Sequence, residues 1–208
     1  MDVLPAIADE RRRVADLVES LTPAQLETPS LCGEWTVRQV AGHLLAGIVR
    51  PRMPVLTLIA RSGFRIHRAN ARLAALVAER PPAELARGLR DHAESTFRPP
   101  IVGYPGQLTD LQVHGQDMRR PLGLPSGLRP DRVRVSLDFL TGGRAVGFVP
   151  GRRLAALRFE AADLDWSWGA GSLVTGPAEA LMLAMTGRGV ALPELEGPGV
   201  PILRNRLA

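Results

Sequence analysis

The sequence predicts an α+β protein, with a helical N-terminal domain over residues 1–128 and a small C-terminal α/β domain over residues 129–208. Apolar residues recur at helical spacing in four regions as far as Arg120, the punctuation Pro125, Gly127 and Pro130 marks a linker, and beyond it LRFEA and LDWSW alternate with period two. Four helical regions joined by long connections suit a bundle whose interior can hold a metal.

In chain order, the first helix is expected from about Asp2 to Leu21. Its apolar stripe is Val3, Ile7, Val14, Leu17, Val18 and Leu21, set against Glu10, Arg11, Arg12 and Glu19. Thr22 and Pro23 stop it. A turn-rich connection, LETPSLCGEW, follows, and Thr36 is placed to cap a second helix from about Val37 to Val49, with Gln39 completing a capping box. The buried face of that helix is Val37, Val40, Ala41, Leu44, Leu45 and Ile48. His43 lies about sixty degrees from Val40 on the wheel, where an imidazole can lean into a cleft between helices or simply be a satisfied boundary residue.

Pro51 and Pro54 break the chain, and a third helical region follows in two pieces, roughly Leu56–Leu76 and Pro82–Phe97. His67 and His92 fall in these pieces without ligand-like neighbours and read as solvated or capping residues. After the loop through Gly103 and Gly106 comes a helix carrying Asp110 and His114, which ends near Arg120 because Pro121 follows. Beyond the linker a short helix, Asp131–Leu140, precedes the two alternating segments. Gly169 to Gly171 then turns the chain into Ser172–Thr175, and a helix opens with Pro177 at its first position and ends at Gly187.

The composition excludes several classes. With 208 residues and 45% hydrophobic content the chain is an ordinary globular protein, and no apolar run reaches the length of a membrane span. The N-terminus MDVLPAIADERRR lacks the apolar core of a signal peptide, so a cytoplasmic location is expected. One cysteine, Cys32, permits neither an intramolecular disulfide framework nor a cysteine-rich zinc cluster. The net charge of +5 invites a nucleic-acid reading, but every basic residue is arginine, scattered along the chain, as in the product of a GC-rich genome. No basic run alternates with aromatic residues, and no nucleic-acid partner is expected.

The chemistry is concentrated in DLQVHGQDMRRPLG, residues 110–123. Asp110, His114 and Asp117 stand at i, i+4 and i+7, so their side chains stack on successive turns of one helix face and can converge on a point. A divalent metal is the natural occupant, with a third ligand supplied from elsewhere. The same spacing also describes a hydrogen-bonded surface pair. Asp117 can orient His114 or anchor Arg120, or form an ordinary intrahelical salt bridge. Arg119 and Arg120 can attract an anion or complement the helix dipole.

Three segments resemble the actinobacterial family of mycothiol-dependent maleylpyruvate isomerase-like proteins: SLCGEWTVRQVAGHL at 30–44, DLQVHGQDMRRPLGL at 110–124 and DLDWSWGAGSLVTGPAEALMLAMTGR at 163–188. The resemblance covers nearly the whole chain. It implies that the helical part is a DinB-like four-helix bundle and that the third segment belongs to the family's small C-terminal domain. It also implies His43, Asp110 and His114 as ligands of a divalent metal, zinc foremost with nickel as a second choice. Asp117 and Arg120 then lie behind the ligands, and aspartate stands at Asp110 where the isomerase has glutamate.

The implied chemistry uses mycothiol as a small-molecule thiol cosubstrate, activated by the metal toward an electrophilic substrate, in an isomerase or a thiol S-transferase. Cys32 is not required as the nucleophile. The alternative is a non-catalytic, DinB-like metal-binding protein with an accessory role in stress or detoxification. Substrate and oligomeric state are not encoded in any motif.

Overall fold

The computed structural model describes residues 2–33, 35–49 and 66–207. A helical N-terminal region and a three-stranded sheet in the C-terminal part make the fold α+β, as the sequence implies. The chain divides into two compact units, residues 1–97 with 114–126, and residues 98–113 with 127–208.

In the first unit, α1 (Val3–Ser20) starts at Asp2, whose side chain accepts a hydrogen bond from Leu4 N–H. Its face of Ile7, Val14, Leu17 and Val18 is buried, and α1 packs on α5 (Pro82–Asp91). Glu10 and Arg11 depart from the expected polar face, since both are buried. The reason lies in α5. Arg11 Nη1 donates to the carbonyls of His92, Ala93 and Ser95 at 3.1, 2.7 and 3.0 Å, in the turn that follows the helix, and places a cation near its negative end. Burial holds that guanidinium below its ordinary pKa, partly offset by Glu94.

Thr22 does more than stop α1. It forms a complete capping box with Gln25 and starts a one-turn helix, α2 (Pro23–Leu26). Thr36 and Gln39 form a second complete box at the start of α3 (Val37–Ala46), which ends three residues before the expected Val49. Helix α3 packs on α4 (Ile66–Ala78). The approach is close because Gly42 has no Cβ; one placed there would lie 2.6 Å from the Ala74 carbonyl oxygen. Arg38 Nε donates to the Ala78 carbonyl at 2.7 Å, at the end of α4. The expected helical stretch from Leu56 lies outside the described residues up to Ile66, and the piece from Pro82 ends at Asp91 rather than Phe97.

Helix α6 (Gly103–Arg119) begins earlier than the glycine-rich loop suggested. Pro105 falls in its first turn, where a missing N–H removes no intrahelical bond. A 3₁₀ turn, Arg120–Leu122, completes it, and Leu124 N–H returns to the Arg119 carbonyl at 3.1 Å.

In the second unit the start of α6 packs beside α7 (Pro130–Thr141), with Ser136 Oγ donating to Gln112 Oε1 at 2.9 Å inside the contact. The sheet runs β2–β1–β3. Strand β1 (Leu157–Ala161) pairs antiparallel with β2 (Ser167–Gly169), Phe159 opposite Trp168, and parallel with β3 (Ser172–Gly176), Phe159 opposite Val174. The LDWSW alternation therefore becomes strand only from Ser167. Leu164 to Trp166 instead form a turn closed by Trp166 N–H on the Leu164 carbonyl, and the Trp166 indole N–H donates to Asp138 Oδ1 at 2.8 Å.

Between β2 and β3 the chain crosses the end of β1 within three residues. A Cβ on Gly171, at φ +131°, would fall 2.1 Å from the Ala156 carbonyl oxygen, so only glycine fits there. Helix α8 (Ala178–Met185) is buried on nearly all sides between the sheet and α7. Pro177 is its N-cap rather than its first residue, and Asp163 Oδ1 accepts from Ala178 N–H at 2.7 Å. Helix α9 (Val200–Asn205) closes the unit.

Candidate metal centre

Helix α3 brings His43 to its inner edge, and α6 brings His114 to meet it. The two imidazoles are in edge-to-face contact with ring centroids 4.9 Å apart. The Trp35 indole, just ahead of the α3 cap, lies over both, 5.0 Å from the His43 ring and 6.3 Å from the His114 ring. Asp110 precedes His114 by one turn of α6. A nitrogen from each of His43 and His114 and a carboxylate oxygen of Asp110 lie within 4.8 Å of one another.

One turn after His114, Asp117 is wholly buried, and its Oδ2 lies 2.8 Å from His114 Nδ1. An ionised carboxylate has only acceptors, so Nδ1–H is the donor and Nε2 is the nitrogen left to act as a ligand. Arg120 opens the 3₁₀ turn and is half-buried. Arg119, also half-buried, has its pKa pushed down by burial and by Arg13, with Glu10 opposing. It remains a cation at the negative end of α6.

Among the described side chains, His92 takes no part. His92 is the exposed C-cap residue of α5, its Nδ1 2.9 Å from the Gly88 carbonyl oxygen. His67 lies on α4.

Sequence reasoning overlooked the loop ahead of α3. Cys32 Sγ belongs to a second close group, in which single donor atoms of Cys32, His114 and Asp117 are again within 4.8 Å of one another. The loop is tied to α6 by Leu31 N–H on the Asp117 carbonyl at 3.1 Å, and to itself by Ser30 N–H on the Trp35 carbonyl at 2.8 Å. The signal was the nearness of Cys32 and Trp35 to the cap of the His43 helix. Spacing along the chain cannot say which way such a loop folds.

Two histidines and nearby carboxylates meeting between helices define a helical protein with candidate metal-binding groups. Residues 7–98 match the family model described as the mycothiol maleylpyruvate isomerase N-terminal domain, so that stretch is similar to this family. Searches of curated proteins and of solved structures returned no match. Among the described residues no helix is long and apolar enough to cross a membrane.

Proposed function

We propose that the protein binds a divalent metal, zinc first and nickel second, through His43, Asp110 and His114, and uses it to activate mycothiol as a nucleophile toward a small electrophile. The reaction is that of an isomerase, in which the thiol adds to a conjugated double bond and leaves after rotation, or of an S-transferase, in which it stays on the product. The observation that carries this reading is the convergence of the three donor atoms within 4.8 Å.

That spacing fits a metal. Two donors held tetrahedrally on zinc stand about 3.4 Å apart, so the groups need to close by no more than about 1.4 Å. Two imidazoles and one carboxylate also leave a position open, as a catalytic centre requires. When bound, the metal supplies stabilisation of the thiolate over the thiol.

The chain's own residues do the rest. Asp117 holds the His114 ring in the tautomer that presents Nε2, and the Trp35 indole over both imidazoles limits the approach of water. Aspartate at position 110 keeps a hard oxygen donor on a shorter arm than glutamate. The metal-binding part is assigned to residues 1–128 and the small α/β domain to 129–208.

The test is metal content of the untagged protein beside His43→Ala, Asp110→Ala and His114→Ala, followed by addition of mycothiol to the cobalt-substituted form. Near-stoichiometric metal lost in each variant, with a thiol-dependent change in the cobalt spectrum, is the expected result. Metal retained without any response to thiol supports the accessory reading instead. A wild type that takes up no metal on reconstitution overturns both.

A further inference from the structure

We infer that Cys32, His114 and Asp117 form a second cation position, selective for thiophilic divalent ions, which competes with the His43–Asp110–His114 set because both need His114. The inference shares that histidine with the proposed function but does not depend on it.

The donor set is sulfur, nitrogen and oxygen, with single atoms of all three residues within 4.8 Å of one another. Around an ion the sulfur and nitrogen stand about 3.6 Å apart, again a closure of about an ångström. Thiolate donors prefer soft and borderline ions, whereas a carboxylate with two imidazoles accepts harder ones, so the two sets differ in selectivity.

Placement of the sulfur is not left to a loose loop. Leu31 N–H is bonded to the Asp117 carbonyl at 3.1 Å, Cys32 N–H to Ser30 Oγ at 3.1 Å, and Trp35 N–H to the Cys32 carbonyl at 3.2 Å. Backbone bonds on both sides of Cys32 thus hold it against the turn of α6 that bears Asp117. Asp117 is fully buried and His114 is 8% exposed, so an ion here would sit among ligands already withdrawn from water.

The competition follows from the imidazole. In the absence of an ion, His114 Nδ1–H donates to Asp117 Oδ2 across 2.8 Å. An ion bound at Nδ1 in the sulfur set moves the ring proton to Nε2 and displaces the proton of Cys32 Sγ, so one proton is released to solvent as the two metal–ligand bonds form. His114 then loses the bond that presents Nε2 to the other set. Serving both ions at once would require a fully deprotonated ring between two divalent charges a few ångströms apart, which is strongly unfavourable. Excess thiophilic metal is therefore expected to empty the His43–Asp110 side.

The experiment is titration of the metal-free full-length protein with Cd²⁺, followed by the near-ultraviolet sulfur-to-metal charge-transfer absorption. Cys32 is the only cysteine in the chain, so the band reports this residue alone. The band is expected in the wild type and absent in Cys32→Ser. Its affinity should fall by at least about tenfold in Asp117→Asn and in His114→Ala, and rise in Asp110→Ala, where the competing set is crippled. Protection of Cys32 from alkylation by Cd²⁺, lost in Asp117→Asn, gives a second readout independent of how Cys32→Ser folds.

No band at saturating Cd²⁺, or a band whose affinity is unchanged in both Asp117→Asn and His114→Ala, overturns the inference, since the ion would then sit on an isolated thiol. Metal binding that depends on His43 and Asp110 without any sulfur band would leave the proposed function standing and remove only this position. A sulfur band without His43-dependent binding would do the reverse.

Discussion

Asp117→Asn tests most directly whether the buried carboxylate behind His114 serves the proposed metal site. The substitution keeps the shape of the side chain and removes its charge at a position with no solvent access, 2.8 Å from the imidazole. An amide can still accept from Nδ1–H through its oxygen, so the ring is held, but by a neutral bond. Removing a carboxylate behind a metal-ligating histidine typically weakens metal binding about 10–100-fold. That corresponds to about 1.4–2.7 kcal/mol, in line with the about 1.5–3 kcal/mol by which a hydrogen bond to a charged group stabilises. The asparagine should fall at the lower end, with a zinc dissociation constant raised about tenfold.

The assay is zinc competition against a chromophoric chelator at fixed pH and ionic strength, with far-ultraviolet circular dichroism as the control for folding. A dissociation constant within about twofold of the wild type, with the helical signal intact, would refute the role given to Asp117. His114 would then be held by packing alone.

Further outcomes are expected elsewhere in the chain. Gly42→Ala drives a methyl to 2.6 Å from the Ala74 carbonyl oxygen and should lower stability by about 1–3 kcal/mol in chemical denaturation. Arg11→Met keeps the buried stem but removes the hydrogen bonds to the carbonyls of Ala93 and Ser95 and one of the two to that of His92, which still accepts from Ser95 N–H, a loss of about 1.5–3 kcal/mol by the same measurement. Phe159→Ala empties the centre of the second unit's core and should cost about 3–5 kcal/mol, while any zinc affinity of the folded fraction stays unchanged because none of the proposed ligands lies on the sheet.

Capping and turn chemistry were legible because they are local. Thr36–Gln39 acts within four residues and its box is complete in the structure, whereas Thr22, read only as the end of the first helix, also forms a box with Gln25. The mixed outcome at LDWSW shows the limit of pattern. Period-two alternation continued through Leu164 and Trp166, but the Trp166 indole found a partner in Asp138, far away in sequence, and the chain turned before Trp166, whose carbonyl accepts from Ala161 N–H at the end of β1. Arg11 is a similar case: charge placed it on the solvent face, and the backbone carbonyls of the turn after α5 drew it inside.

The sequence by itself determined the chemistry available and its placement along one helix. Helical periodicity alone puts Asp110, His114 and Asp117 on successive turns, because the repeat of the α-helix is fixed by backbone geometry. Only the tertiary structure decided what stands opposite that face. Packing of separate segments brought the His43 ring to 4.9 Å from His114, laid Trp35 over both, and set Cys32 beside Asp117. Those contacts join residues tens of positions apart, through loop closure and burial that no local spacing encodes.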